Sequence, residues 1–203
     1  MSNLLVVKSH PLSKEESRTL AVLDTFLTTY ETTNPADTIT VLDLYEDNVP
    51  EIDKDMLYGW AAAQKGEEMT PEQQAKITRF TELTEQFLNS DKIIVANPLW
   101  NLNIPTKLKA WIDTITVSGK TFKYTAAGPV GLTKNKKVVH IQSSGGVYDG
   151  HDTSSQFINN IFNFVGVNDI DSIYIQGIDH HPEQSEQILA DIHEIARQKA
   201  QTF

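Results

Sequence analysis

Residues Lys92 to Pro105 read Lys-Ile-Ile-Val-Ala-Asn-Pro-Leu-Trp-Asn-Leu-Asn-Ile-Pro. The first five form a short apolar run with β-branched side chains, which predicts a strand buried on both faces. Asn97 and Pro98 should end this strand, because proline cannot donate to a ladder and holds the preceding residue extended. Pro105 stands where a helix can begin. The segment therefore presents an aromatic ring and amides at the carboxyl end of a central strand, where open α/β sheets bind ligands.

Strand and helix patterns alternate along the rest of the chain. Strands are predicted at about 4–7, 38–44, 92–96, 137–142 and 172–177, and helices at about 14–30, 53–64, 71–89, 106–114, 153–165 and 182–199. Because parallel strands need helical crossovers, this alternation predicts one α/β domain over residues 1–203, a doubly wound five-stranded parallel sheet with helices on both faces. Residues 118–136 contain three glycines and are expected to form a long functional or interface loop.

Composition excludes several classes of protein. A net charge of -10 argues against nucleic-acid binding, which needs clustered Lys and Arg. The chain has no cysteine, so it has neither disulfides nor thiolate metal sites. No apolar run approaches the ~20 residues that span a bilayer, and a strand pattern at Leu4 leaves no room for a signal peptide. We therefore expect a cytoplasmic protein with no membrane association.

Three segments should meet at one edge of a parallel sheet, because each follows a strand. Residues 8–19 are rich in hydroxyls and precede a helix, as suits a phosphate. Residues 98–102 supply an aromatic face, and Ser143-Ser144-Gly145-Gly146 lets backbone N–H groups approach a planar ligand. Together they predict a ligand with a phosphate tail and a flat heteroaromatic head.

Taken singly, these residues have simpler explanations. Ser13 could start the first helix through a capping box, and Ser17 and Thr19 could be surface hydroxyls. Trp100 could be a core aromatic, and Ser143–Gly146 an ordinary turn. Asp179-His180-His181 lacks metal-ligand spacing, so no metal site is expected. The chain has no Gly-x-Ser-x-Gly elbow, Walker loop or Gly-x-Gly-x-x-Gly fingerprint.

In combination and in this order, the three segments resemble the FMN-dependent NADH azoreductases, which are related to the NAD(P)H quinone reductases of flavodoxin-like fold. The resemblance covers the whole chain and includes Trp111-Ile112-Asp113, residues 119–125 and Asn163-Phe164-Val165-Gly166. It implies a cytoplasmic flavoprotein oxidoreductase that binds FMN, uses NADH or NADPH as donor, and forms a homodimer with two sites.

The resemblance also implies which residues bind. The FMN phosphate would contact Ser9, Ser17, Arg18 and Thr19; the ring would lie between Leu99, Trp100, Asn101 and Leu102 and, at its pyrimidine side, Ser143, Ser144, Gly145 and Gly146. Tyr124, Phe164 and Tyr148 would line the substrate pocket, the first two from across the dimer interface. His10 stands where relatives carry a small hydroxyl residue, so that donor is expected to be missing. Glu15 and Glu16 should face solvent, away from the phosphate.

The implied mechanism is a ping-pong reaction, in which NADH and the acceptor use one pocket in turn. The flavin carries the chemistry, so no catalytic side chain is expected. Quinones and azo compounds are the implied acceptors, with reductive cleavage of the azo bond to amines. The alternative is a flavodoxin-type FMN electron carrier without a small-molecule acceptor of its own. Against the carrier stand the length of residues 118–136 and the absence of a Thr-rich phosphate loop.

Overall fold

The computed structural model describes all residues from 1 to 203. The strands are β1 (Asn3–Lys8), β2 (Thr38–Asp43), β3 (Lys92–Pro98), β4 (Phe122–Thr125), β5 (Gly128–Gly131), β6 (Lys137–Ser143) and β7 (Asp169–Ile175). The helices are α1 (Arg18–Thr33), α2 (Lys54–Lys65), α3 (Pro71–Leu88), α4 (Thr106–Ile115), α5 (Thr153–Val165) and α6 (Ser185–Thr202). Five strands form one parallel sheet in the order β2-β1-β3-β6-β7, so the predicted doubly wound sheet is confirmed.

Both faces of the three central strands, β1, β3 and β6, are buried, as their apolar runs predicted. In β3, Ile94 and Ala96 join α1 and α6 in one core cluster, and Ile93 and Val95 join α3, α4 and α5 in the other. The alternation follows from the two-residue period of a strand, which turns successive side chains to opposite faces. α2 packs on α3 instead of the sheet, through Trp60 and Phe80 with ring centroids 5.2 Å apart. None of the helices combines the length and apolar character that a membrane crossing demands.

The prediction that Asn97 and Pro98 end β3 is wrong. Pro98 pairs with Ser143 of β6 and is the last residue of the strand. Successive residues of a parallel strand bond alternately to its two neighbours. Ala96 accepts from Ser9 on the β1 side and Leu99 donates to Ser143 on the β6 side, so the Pro98 nitrogen faces β1. Since β1 has ended at Lys8, the missing N–H breaks no ladder bond.

Two predicted helix starts are also wrong. α1 begins at Arg18, not near residue 14, because Ser17 is extended and its side chain accepts from Leu20 N–H. Ser13 only closes a turn, accepting from Ser17 N–H, which leaves a longer loop after β1. The last helix begins at Ser185, after a short 3₁₀ turn at Pro182–Gln184. The capping box of α3 is present as predicted.

The segment 118–136 contains an antiparallel hairpin, β4 and β5, where a long loop was expected. The hairpin is held against the end of α5, since Thr133 donates to Val165 O from both its N–H (3.0 Å) and its hydroxyl (2.6 Å). A Cβ on Gly131 would lie 2.3 Å from Gly166 N, so only glycine permits this approach. The hairpin is therefore fixed at the edge of the sheet where α5 ends.

A half-buried polar cluster closes the opposite, amino-terminal edge of the sheet. The Asp37 carboxylate accepts from Tyr30 Oη (2.6 Å), Ser2 N–H (2.6 Å) and Lys92 Nζ (3.3 Å). The hydrogen bond from Tyr30, with those from Ser2 and Lys92, lowers the pKa of Asp37 to about 2. An aspartate in an unfolded chain has a pKa of about 3.9, so the cluster stabilises the fold above that pH and loses its effect as the pH falls towards 2.

Asp37→Asn should lower the free energy of unfolding by about 2 kcal/mol at pH 7. The variant loses a carboxylate whose charged form is stabilised by hydrogen bonds in the folded state and not in the unfolded state. The difference from wild type should shrink as the pH falls from 4 to 2, in urea titrations followed by circular dichroism. Asp113→Asn is the control, because Asp113 pairs with Lys109 at the surface and such pairs contribute about 0.5 kcal/mol. A pH-independent loss in Asp37→Asn would contradict this account.

Candidate functional site

The three loops after β1, β3 and β6 meet at one edge of the sheet, as predicted. Thr19 Oγ1 donates to Ser143 Oγ at 2.7 Å, which joins the first loop to the third. The rings of His10 and Trp100 lie 5.5 Å apart, which joins the first loop to the second. Leu99 N–H donates to Ser143 O at 2.8 Å, which joins the second to the third. The chain leaves β1 and β3 in opposite directions, and this divergence opens a crevice between their ends.

The loop after β1 supplies hydrogen-bond donors that the chain itself does not use. Ser9 is fully buried, and its hydroxyl has no partner within the chain. The N–H groups of Arg18 and Thr19 open α1 and donate to no acceptor in the chain. A buried unpaired hydroxyl is costly unless something satisfies it, and free N–H groups at a helix start favour an anion. This corner of the site suits a phosphate.

Other side chains predicted here are already engaged. Ser17 caps α1, and the Thr19 hydroxyl is buried and bridges to Ser143. Arg18 forms an ion pair with Asp179 of the loop after β7, with Nη1 and Oδ1 2.8 Å apart. Glu15 and Glu16 are exposed, as expected. The hydroxyls of Ser17 and Thr19 therefore shape the loop, and Arg18 is held at its rim.

His10 keeps a donor where one was expected to be missing. Its Nδ1 accepts from Leu12 N–H at 3.1 Å, so the neutral ring carries its proton on Nε2. Burial, with a contribution from Lys8, lowers the pKa of His10 below its usual value and keeps the ring neutral near pH 7. The same ring supports one side of Trp100, whose indole is 40% exposed at the mouth of the site.

The loop after β3 is a tight turn with two left-handed residues. Trp100 and Asn103 exchange backbone hydrogen bonds of 3.0 Å each, and between them Asn101 has φ 50° and Leu102 φ 62°. A leucine in this conformation is uncommon, and such positions cluster at functional sites. The turn leaves the N–H groups of Asn101 and Leu102 and the Asn101 side-chain amide without partners in the chain. It therefore presents donors beside the indole.

The loop after β6 presents bare backbone to the same crevice. The N–H groups of Gly145 and Gly146 donate to no acceptor in the chain. A Cβ on Gly145 would lie 2.6 Å from Asp179 Oδ2, and one on Gly146 would lie 3.1 Å from the Tyr148 ring. Tyr148 thus lies against this loop, and a larger residue at 145 would displace the carboxylate that pairs with Arg18.

Sequence reasoning missed a buried polar layer directly beneath this edge. Asn97, His140, Gln142 and Asp152 are all buried, and hydrogen bonds join them in that region. His140 Nε2 and Asn97 Oδ1 are 2.9 Å apart, and burial lowers the pKa of His140 to about 4, so the ring is neutral. The polar residues His140 and Gln142 inside the strand run at 137–143 were the signal that could have revealed this layer.

Two of the predicted substrate-pocket residues, Tyr124 and Phe164, lie far from the crevice of the same chain. Tyr124 and Phe164 both pack on Phe122, with ring centroids 5.4 and 4.6 Å from it. Phe164 is next to the last residue of α5, which starts beside the loop after β6 and runs 13 residues back along the sheet. At 1.5 Å per residue, Phe164 lies about 17 Å along the helix axis from the start of α5 beside the loops. One chain therefore does not bring Tyr124 and Phe164 to Trp100.

The residues of the crevice fit an FMN group. Unused donors at Ser9 and at the start of α1 suit its phosphate, and the exposed Trp100 suits its ring. Free N–H groups at Gly145 and Gly146 suit the polar edge of the ring, which accepts hydrogen bonds. No cluster of three or more metal-ligating side chains is present.

Comparison with known proteins gives concordant results. A sequence profile of the flavodoxin-like fold matches residues 2–200. An FMN-dependent NADH:quinone oxidoreductase of Streptococcus suis is 48% identical over 189 residues, 93% of each chain. The crystal structure of an azoreductase from Bacillus anthracis strain Sterne superposes with a TM-score of 0.92 at 33% identity, covering both chains completely. An FMN-dependent NADH-azoreductase of Bacillus anthracis, solved in complex with FMN, gives a TM-score of 0.89 at 33% identity over 98% of this chain and all of the other.

Asn101→Gly should weaken FMN binding about fivefold, because it removes one amide hydrogen bond, worth about 1 kcal/mol, and glycine keeps the left-handed turn. The dissociation constant is measured by the quenching of free FMN fluorescence. Asn135→Gly is the matched control, because Asn135 also has a positive φ of 58° but lies before β6, at the far edge of the sheet. Equal affinities of the two variants for FMN would contradict a contact between the Asn101 side chain and FMN.

Proposed function

This chain belongs to the flavodoxin-like fold family. From the relatives that it resembles within this family, we propose that it is an FMN-dependent NADH oxidoreductase that reduces quinones and azo compounds. Its relatives at 48% and 33% identity carry the names of such enzymes. The observation that carries the proposal is the joining of the three loops by the Thr19–Ser143 hydrogen bond and the His10–Trp100 contact. These contacts gather phosphate donors, an indole and free backbone N–H groups around one crevice.

The proposed roles in FMN binding follow from the hydrogen-bond donors that have no acceptor within the chain. Ser9 Oγ and the N–H groups of Arg18 and Thr19 would bind the phosphate. Leu99, Trp100, Asn101 and Leu102 would flank the ring, and the segment Ser143–Gly146 would bind its pyrimidine side. When bound, FMN supplies the hydride chemistry, so no side chain acts as a nucleophile.

The chain's own contribution to the reaction is orientation and electrostatic stabilisation. The N–H groups of Gly145 and Gly146 have no acceptor in the chain and would donate to the ring of bound FMN, and preorganised donors of this kind favour a negatively charged ring. With FMN bound, NADH and then the acceptor would stack in turn beside Trp100, which would hold each flat substrate near the reacting atoms. A quinone needs one such cycle and an azo bond needs two, because its cleavage to two amines takes four electrons.

NADH is the favoured donor in this proposal. NADPH carries an additional phosphate, and the loop after β1 carries the exposed carboxylates of Glu15 and Glu16. The nearby cation of Arg18 is already paired with Asp179. Like charges repel, so we expect these carboxylates to disfavour the 2′-phosphate of NADPH.

The active form in this proposal is a cytoplasmic homodimer of one-domain chains. Tyr124 and Phe164 lie a helix length away from Trp100, so they can line the substrate pocket only if they come from a second copy. The mouth of the crevice is also apolar and exposed, with Leu102 58% and Val147 55% accessible, as is typical of a surface that another protein covers.

The electron-carrier alternative is not supported by the relatives. The names of the S. suis and B. anthracis proteins describe enzymes that act on small molecules. The β4–β5 hairpin also adds an aromatic cluster to this chain, which a carrier that only docks on partner proteins does not need.

The purified protein should be yellow, and anaerobic NADH should bleach its flavin band because the crevice accepts a hydride donor. Menadione or an azo dye should then restore the band. The measurement is the absorbance near 450 nm in an anaerobic cuvette, with NADPH as the comparison donor, expected to react about tenfold more slowly. A colourless protein that does not take up FMN would contradict the proposal, and a yellow protein that NADH does not reduce would favour the carrier.

Tyr124→Ser should raise the KM for menadione about fivefold and leave FMN binding unchanged. The variant loses an aromatic contact with the acceptor, worth about 1 kcal/mol, and no contact with FMN. Light scattering of the wild-type protein and of the variant should give a molar mass twice the 22.8 kDa of one chain, because both should be dimers. Ile195→Ser is the control, since Ile195 is an exposed apolar residue on α6, away from the hairpin. An active monomer, or an unchanged KM in Tyr124→Ser, would contradict the prediction that a second copy lines the substrate pocket.

A further inference from the structure

The loop after β6 is closed at its base by a buried hydrogen bond. Gln142 is the penultimate residue of β6 and Asp152 is the N-cap of α5, and Gln142 Nε2 donates to Asp152 Oδ2 at 3.1 Å. The two residues are 2% and 4% exposed. This bond therefore joins the two ends of residues 143–151, the loop that contains Gly145 and Gly146.

The orientation of the Gln142 amide is fixed by its other partners. Its oxygen accepts from Ser154 Oγ at 2.5 Å and from Asn97 Nδ2 at 3.4 Å, so its nitrogen must face Asp152. Asp152 receives two further bonds, from Ser155 N–H at 2.9 Å and Ser155 Oγ at 2.7 Å. Three donors thus converge on one carboxylate, and only a group that accepts at both oxygens satisfies them all.

The charge of Asp152 has no cation beside it. None of the ion pairs in the chain includes Asp152, and its hydrogen-bond partners Gln142 and Ser155 are uncharged and buried. Burial alone would raise the pKa of this carboxyl, but the hydrogen bonds from Ser155 and Gln142 outweigh that effect and hold its pKa below the usual value. The group is therefore ionised at neutral pH, next to the loop and at the first turn of α5.

We propose that Asp152 is a positioning residue that acts in two ways: through Gln142 it fixes the loop 143–151 against the flavin, and its unpaired charge makes the bound flavin harder to reduce. This inference rests on the proposed function, because it assumes that FMN occupies the crevice. Neither Asp152 nor Gln142 is expected to touch the flavin, since both are buried beneath the loop.

The second effect follows from charge balance. Reduction adds two electrons and one proton to the flavin ring, so the reduced ring carries one more negative charge than the oxidised ring. A fixed carboxylate nearby opposes that charge, and the interaction is stronger in a buried, water-poor region than in solvent. Asp152 also offsets the positive end of the α5 dipole, which would otherwise favour the reduced ring.

The test compares Asp152→Asn with Asp53→Asn, both as full-length holoenzymes. Both aspartates are N-caps, Asp152 of α5 and Asp53 of α2, and asparagine is an equally good cap. The first readout is the midpoint potential of the bound flavin, measured against a reference dye. We expect the ratio of the affinities for reduced and oxidised FMN to rise about tenfold in Asp152→Asn, which is about 30 mV more positive for a two-electron couple, and to stay unchanged in Asp53→Asn.

The second readout is the affinity for oxidised FMN, which reports on the position of the loop. Gln142→Met removes the hydrogen bond between the loop ends but keeps the carboxylate and the cap, and it should weaken FMN binding about fivefold with little change in potential. If Asp152→Asn does not fold, Asp152→Ser, which also caps a helix without charge, takes its place. The affinity of Gln142→Met tests the bond between the loop ends independently of either Asp152 variant.

Each outcome separates this inference from the proposed function. Wild type that binds no FMN would overturn the proposed function and this inference together. Wild type that binds FMN and is reduced by NADH, with an unchanged potential in Asp152→Asn, would overturn the role of the charge alone. Wild-type affinity in Gln142→Met would overturn the role of the bond between the loop ends.

Discussion

Parallel pairing of β1 and β3 at the centre of the sheet is the constraint on which the rest of the structure depends. The pairing brings the carboxyl ends of both strands to one edge, and the chain then leaves β1 towards β2 and β3 towards β6. Helices occupy both faces of the sheet, so the space between the diverging loops is not filled by a crossover. The crevice is therefore a consequence of strand order, and the loops supply its chemistry.

The sheet changes character along its length. Apolar side chains bury both faces of β3 and β6 through most of their residues, and Asn97 and Gln142 then place polar groups in the interior at the functional edge. Burying such groups is unfavourable unless they are hydrogen-bonded, and here each amide finds several partners. The layer fixes the orientation of its members, and this rigidity beneath the loops is what a positioned cofactor requires.

Much of the fold could be predicted because the signals are local. The apolar runs of β1 and β3 and the capping box of α3 each specify their own element within a few residues. The errors arose where a distant partner decided the outcome. Pro98 remains in β3 because β1 has ended beside it, and residues 118–136 form a hairpin because the end of α5 holds it. Ser17, not Ser13, caps α1, a choice between two local signals that the sequence left open.

The sequence by itself determined the alternation of strands and helices, the absence of cysteine chemistry, and the three segments that supply hydroxyls, an indole and bare backbone. Only the tertiary structure decided which groups are free to bind, because a donor is free or engaged according to what packs beside it. Ser9 is left without a partner, whereas Thr19 is occupied by Ser143. The separation of Tyr124 from Trp100 and the burial of Asp152 likewise depend on where α5 begins and ends on the sheet, and no spacing along the chain records those distances.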